Sequence, residues 1–439
     1  MAAPLYDALV RYAAKRPARF HMPGHKGKFL PVPELEGMAS IDVTELSGTG
    51  NLYEAGAPFD EAQRLWAELF GFDYCQFLTG GSTMGIHTGL ALCCKPGDKV
   101  LMDRSCHRAA FNALALLDLE PVYLERPWLK SENLIGPISP EDVEKALDRS
   151  PEIKTVCITS PTYAGMLSDV GAISRIVHAH GAKLFVDGAH GAHLPFLGAV
   201  PWLAADVVAV SAHKTLPAMG QSALLFANWM DPDQVRRMAS VYGSSSPSYP
   251  MMASLDAARQ WLVDGGKEDY FHAARRVAQL REKFPSLKNG GPLVLDPCRF
   301  TLKVKNGPAF VKQLEERGIY PEMEDGGHVV FICTAQDSGE DFNYLEKILT
   351  ELQNQMGDCP PIPPPPLPKG VLSPRKALFA PSRLQALKDC EGELAASQIA
   401  PYPPGVPVVA PGEQITKKEL AYLQEIGYNM LSETRVVSS

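Results

Sequence analysis

The chain has 439 residues, 45% of them hydrophobic, and its 50 acidic against 42 basic side chains give a net charge of −8. That size and apolar content provide for two or three domains with a sizeable core, and the acidic balance argues against a general nucleic-acid-binding surface. Nine cysteines without a C-x-x-C pair indicate neither a zinc site nor a disulfide framework, so no metal is expected. The amino terminus lacks the basic and apolar regions of a signal peptide, and no apolar run approaches a membrane span. The expectation is a soluble, cytoplasmic protein without membrane association.

In chain order, the first clear element is a helix over 59–70: Phe59, Ala62, Leu65, Trp66, Leu69 and Phe70 recur at helical spacing, with acids in the first turn and Gly71 after the last. Short apolar runs follow at 75–78, 99–103, 154–159, 183–187, 206–210 and 223–227, alternating with helical patterns such as 173–180. Such alternation predicts a mostly parallel sheet between helices. Beyond about residue 290 the texture changes to a strand over 299–305, a helix over 311–317 and a strand over 329–333, which predicts a smaller α+β unit. A proline-rich run at 360–368 reads as an extended connector. A helical pattern over 383–395 and a Pro/Gly-rich tail over 401–413 complete the chain. The expected domains are an arm over 1–45, a large domain over 46–290 and a smaller one over 291–439, with the connector at 358–374.

Four strand ends carry chemistry. After 206–210 comes Ser211-Ala-His-Lys-Thr215, followed by Gln221-Ser-Ala223. A lysine just past a strand end in an open α/β sheet stands where ligands collect, and its amine can form a Schiff base. Alone, the hexapeptide 210–215 reads more readily as an exposed turn. After 75–78 comes Thr79-Gly-Gly-Ser-Thr-Met-Gly85, whose N–H groups with Ser82 and Thr83 can hold a phosphate at a helix start. Asp187 ends the run 183–187, 27 residues before Lys214, and a carboxylate there can keep a pyridine nitrogen protonated. His107 follows 99–103, where an imidazole can stack on a ring and donate a proton. Together these are the parts of a pyridoxal phosphate (PLP) site. His190 and His193, three residues apart with no further acidic or cysteine ligand, make a poor metal site.

The residues resemble a known family, the fold type I PLP-dependent decarboxylases of ornithine, lysine and arginine, in the short bacterial form without an added N-terminal regulatory domain. The matching motifs run nearly end to end: His21-Met-Pro-Gly-His-Lys-Gly27, Asp42-Val-Thr-Glu-Leu46, Gly81-Ser-Thr83, 103–107, Ser160-Pro-Thr-Tyr-Ala-Gly165, 187–193, 211–214, Ser244-Ser-Ser-Pro-Ser-Tyr249, 402–407 and Pro411-Gly-Glu413. The resemblance implies an α/β large domain of the aspartate aminotransferase-like type with a smaller C-terminal α+β domain. It implies Lys214 as the lysine bound to PLP, Asp187 on the pyridine nitrogen, His107 stacked on the ring and Ala189 against its other face. Gly81, Ser82, Thr83, Ser211 and His213 fall on the phosphate side, with His190 also among the cofactor-binding residues. In a homodimer, the serines 244–246, Ser246 in particular, reach the partner's cofactor, and Glu413 lies near the distal cation of the substrate.

Two departures stand out. Leu46-Ser-Gly-Thr-Gly-Asn-Leu-Tyr53 replaces a proline-glycine turn, an aspartate-leucine pair and a histidine, and Gly188 replaces a glutamate. The implied reaction is loss of carbon dioxide from arginine or lysine, less readily ornithine, to give a polyamine-type amine. Two other readings stay open: another fold type I reaction, such as transamination or elimination, for which Arg299 is the obvious carboxylate partner, and a non-catalytic relative of the decarboxylases.

Overall fold

A computed structural model describes residues 3–198, 201–291, 293–401 and 405–438. They form two compact units, Met1–Leu92 with Phe185–Phe271 and Cys93–Leu184 with His272–Ser439.

In the first unit, helix Pro4–Ala14 starts on a proline and buries Leu5, Ala8 and Leu9. Its first free amides are capped from a distance: Asp256, in helix Tyr249–Trp261, accepts from Leu5 N at 2.8 Å and Tyr6 N at 3.2 Å. Helix Phe59–Phe70 forms as its spacing predicts, and Gly71 ends it in the left-handed conformation that glycine adopts without strain. The unit's strands lie in the order Tyr74–Leu78, Ala223–Ala227, Val207–Val210, Lys183–Asp187. The first two pairings are antiparallel and the last is parallel. Val207–Val210 and Ala223–Ala227 are buried throughout, which is why they read as unbroken apolar runs. Helix Gly81–Cys93 lies close to this sheet because Gly85 and Gly89 have no side chain. A Cβ on Gly85 would stand 2.8 Å from that of Ala209, and one on Gly89 2.2 Å from the Phe185 ring.

In the second unit, Thr155–Thr159, Lys99–Asp103 and Glu120–Leu124 run parallel, with Lys99–Asp103 in the middle. Helices Arg108–Leu117, Pro140–Arg149 and Val170–Ala179 alternate with them. Three of the five pairings in these two strand groups are thus parallel, the mostly parallel arrangement expected. The smaller α+β part is also present. Arg299–Lys303, His328–Ile332 and Met323–Glu324 make an antiparallel sheet, with helices Gly307–Glu315 and Gly339–Glu351 beside them in the chain.

One expectation fails. The pattern over 383–395 is not helical: Ser382–Ala386 is a strand paired antiparallel with Glu433–Val437, followed by a 3₁₀ turn at Leu387–Asp389. Its apolar residues serve a cluster that includes Leu387, Cys390, Ala395 and Val436, and the strand's partner lies about fifty residues away in sequence. The proline-rich run 360–368 has no regular structure. Among the described residues, no helix is long and apolar enough to cross a membrane. Of the motif at 402–407, residues 402–404 lie outside the described ones.

Candidate active site

Strand Val207–Val210 stops at Ser211 and the chain turns into a short helix, Ala212–Thr215, that carries Lys214. The Lys214 amide donates to the Ser211 carbonyl at 3.3 Å, which closes the turn. Its side chain is half-buried, with Nζ 3.0 Å from His190 Nε2. His190 belongs to the loop after the neighbouring parallel strand, Lys183–Asp187, which ends on the buried Asp187. Asp187 Oδ1 accepts from Ala189 N at 3.1 Å. Gly188 N donates to Ala209 O at 2.8 Å and Ser211 N to Ala189 O at 3.4 Å. The carboxylate and the lysine therefore leave the same end of two adjacent parallel strands, on loops joined by main-chain hydrogen bonds. That is the position at which open α/β sheets bind ligands.

Gly188 explains one departure from the family pattern. A Cβ there would lie 3.1 Å from the ring of the fully buried Trp202 and 3.2 Å from Val208, so any side chain at 188 presses on both. His193 is absorbed into the core, its ring 5.9 Å from that of Tyr270.

The glycine-rich turn is tied to the lysine segment through residues 221 and 222. Gly81, with φ of +67°, donates its N–H to Gln221 O at 2.8 Å, and helix Gly81–Cys93 starts there. Ser82 and Thr83 therefore stand in the first helical turn, the expected place for an anion. His213 donates from its backbone N (3.3 Å) and from ring Nδ1 (2.8 Å) to the Ser222 carbonyl. That bond puts a proton on Nδ1 and fixes the imidazole. The Ser211 and Ser222 hydroxyls are buried and lack a hydrogen-bond partner among the described residues. Orphan hydroxyls of this kind beside a helix start, with a lysine and a buried carboxylate on adjacent strand ends, fit a phosphate-bearing cofactor with a basic ring nitrogen. Ser244, Ser245 and Ser246 are exposed, and Ser246 N donates to Ser244 Oγ at 3.1 Å.

His107 and Glu413 belong to the second unit. His107 is the N-cap of helix Arg108–Leu117, and its Nδ1 accepts from Ala109 N at 3.2 Å, which leaves the ring proton on Nε2. Two buried ion pairs support its loop. Asp103 accepts from Arg126 Nη2 at Oδ2 (2.6 Å) and from Nε at both Oδ1 and Oδ2 (3.0 Å each), and also receives Ser105 N at 2.8 Å. Arg104 donates to Pro407 O, Val408 O and Glu413 Oε2 at 2.7, 3.0 and 3.0 Å, with its guanidinium carbon 5.1 Å from the centroids of the Phe111 and Tyr123 rings. Glu413 Oε2 also accepts from Ala410 N at 2.7 Å, and burial raises the pKa of this carboxyl despite Arg104. Arg126 gives no signal in sequence, and Arg104 stands in the motif 103–107 without a readable role, because the partners of each come from other parts of the chain.

Comparison with known proteins resolves what this constellation belongs to. The family model described as Orn/Lys/Arg decarboxylase, major domain, matches residues 3–300, and the C-terminal domain model matches 367–429. The chain belongs to the Orn/Lys/Arg decarboxylase family. It is 29% identical to an arginine decarboxylase of Bacillus subtilis, over 96% of this chain and 92% of that protein. It shares the fold of the Francisella novicida lysine decarboxylase LdcF, with TM-score 0.82, 20% identity, and coverage of 99% of this chain and 81% of the other. A solved structure of SPT with PLP matches 67% of this chain and 75% of its own, with TM-score 0.55 and 16% identity. The fold type I architecture and the carboxy-lyase class expected from the motifs are those of this family.

Proposed function

We propose that the protein uses PLP to decarboxylate a basic amino acid, arginine or lysine ahead of ornithine, releasing the corresponding polyamine-type amine. The observation that carries this reading is Lys214 Nζ beside His190 Nε2, on the strand end next to the one that closes with the buried Asp187. PLP, when bound, supplies the electron sink that lets the α-carboxylate leave as carbon dioxide. Lys214 would be the residue that holds the cofactor through its amine, and Asp187 would be the carboxylate that keeps the ring nitrogen protonated. Ser82, Thr83, Ser211 and His213, with the Gly81 turn, bind the phosphate. Ala189 would pack on the cofactor ring, and His107, whose proton is on Nε2, would serve as the stacking group and proton donor. His190 Nε2 accepts from the lysine amine and so orients it.

In this reading the active form is a cytoplasmic homodimer, Ser246 reaches the partner's cofactor, and the large domain spans 46–290. Glu413 has one oxygen, Oε1, left for the distal cation of the substrate. A transaminase would need an arginine offered to the substrate carboxylate. Arg299 is 1% exposed and lies 3.9 Å from Asp296, which weighs against that alternative.

A panel of arginine, lysine and ornithine, assayed with PLP for carbon dioxide and amine, tests the proposal. One of the three is expected to turn over, and Lys214→Ala is expected to abolish both turnover and the visible absorbance of lysine-bound cofactor. A Lys214→Ala protein that keeps both, or keto-acid formation without carbon dioxide, refutes it.

A further inference from the structure

Tyr53 ends the stretch 46–53 in which the chain departs from its family's pattern. Its amide donates to Asn51 Oδ1 at 2.9 Å, which sets the turn. Its hydroxyl is buried and has no hydrogen-bond partner among the described residues. Leaving a buried hydroxyl unpaired is costly, so the group invites an explanation.

The surroundings supply one. The phenol lies over the backbone of Gly243, where a Cβ would come within 1.9 Å of the hydroxyl and 2.7 Å of Met84 Cε. Met84 reaches back to Gly80, where a Cβ would stand 3.0 Å from its own Cβ and 3.4 Å from its sulfur. One methionine side chain thus separates the Tyr53 hydroxyl from the Gly80-Gly81 turn at the start of helix Gly81–Cys93, the turn assigned to anion binding. On its other side, Gly243 leads directly into Ser244, Ser245 and Ser246. Burial pushes the phenol up to about 12, so the group remains a donor at working pH. A buried donor beside an amino-terminal helix turn is suited to an anionic oxygen.

We infer that the Tyr53 hydroxyl is a ligand-binding donor that completes the anion site by hydrogen-bonding an oxyanion, either the phosphate ester of the cofactor or the α-carboxylate of the amino acid. The inference rests on the PLP-dependent reading above. Glycine at 243 is then required so that the phenol can lie in place.

The test uses the full chain freed of PLP and then titrated with PLP by fluorescence quenching, for the wild type, Tyr53→Phe and Gly243→Ala, beside thermal melting and steady-state kinetics. Tyr53→Phe is expected to keep or raise the melting temperature of the PLP-free protein, because it deletes an unpaired polar group. With the phosphate as acceptor, its Kd for PLP rises roughly tenfold or more. With the carboxylate as acceptor, the Kd for PLP is unchanged and KM for the amino acid rises by a similar factor. Gly243→Ala, which displaces the phenol without deleting its hydroxyl, is expected to show the same loss. A Tyr53→Phe protein with unchanged Kd and KM, beside a wild type that binds PLP normally, overturns this inference alone. A wild type that takes up no PLP overturns the parent reading and this inference with it.

Discussion

Asp256 offers a test of how the first unit is held together. It is fully buried, and its Oδ2 accepts from the first amides of helix Pro4–Ala14. Burial pushes its carboxyl from an ordinary 3.8 up to about 6, with the two amides and Arg259 pulling back only part of the way. Between those values the folded chain binds more protons than the unfolded one, so stability falls as pH rises through this window. It is greatest below about pH 4 and levels off above 6. A shift of two units corresponds to about 3 kcal/mol at most. Asp256→Asn removes the titration while keeping an oxygen for the amides. Its unpaired NH₂ adds an offset that does not vary with pH. Urea unfolding followed by circular dichroism at pH 4, 5, 6 and 8 is expected to show the difference between wild type and variant swinging by about 2–3 kcal/mol in favour of the variant as pH rises. Parallel profiles for the two proteins would refute the reasoning.

Three further substitutions probe the supports of the site. Arg126→Leu leaves Asp103 as an uncompensated buried charge and is expected to cost about 3–5 kcal/mol in urea unfolding, whereas adding Asp103→Asn recovers part of the loss. Gly188→Ala presses a methyl on Trp202 and Val208 and is expected to destabilise by about 1–3 kcal/mol; an unchanged unfolding midpoint would show that the loop yields freely. Glu413→Gln removes the charge facing Arg104 and is expected to cost about 1–3 kcal/mol, because burial already opposes that charge. If Oε1 also meets the distal cation, KM for the preferred amino acid rises in the same variant, and an unchanged KM assigns Glu413 to the support of Arg104 alone.

The strands at 99–103, 183–187 and 223–227 were legible residue for residue because they are apolar on both faces and bounded by polar residues, a local signal. Helix Phe59–Phe70 was legible for the same reason, from its spacing and its terminal glycine. The region 383–395 misled because Arg383, Leu384, Gln385, Leu387 and Ala395 suit a helix locally, whereas the pairing with Glu433–Val437 comes from a segment no local window contains. The edge strand Glu120–Leu124 was missed for a similar reason: its exposed start and its proline carry a weak pattern that only the neighbouring Lys99–Asp103 completes.

The same division runs through the candidate site. Residue types and their order along the chain were enough to single out Lys214, Asp187, His107 and the Gly81-Ser-Thr83 turn, because PLP chemistry needs an amine, a carboxylate, an imidazole and an anion cradle, and each follows a readable strand. What sequence could not decide is which groups share atoms. The bond from Lys214 to His190, the link of the Gly81 turn to Gln221, the pairing of Glu413 with Arg104 and the unpaired hydroxyl of Tyr53 over Gly243 all depend on the packing of distant segments. Side-chain identity sets what a group can do. Tertiary contact sets whether its donors and acceptors are already taken, and that decides whether the group serves the fold or a ligand.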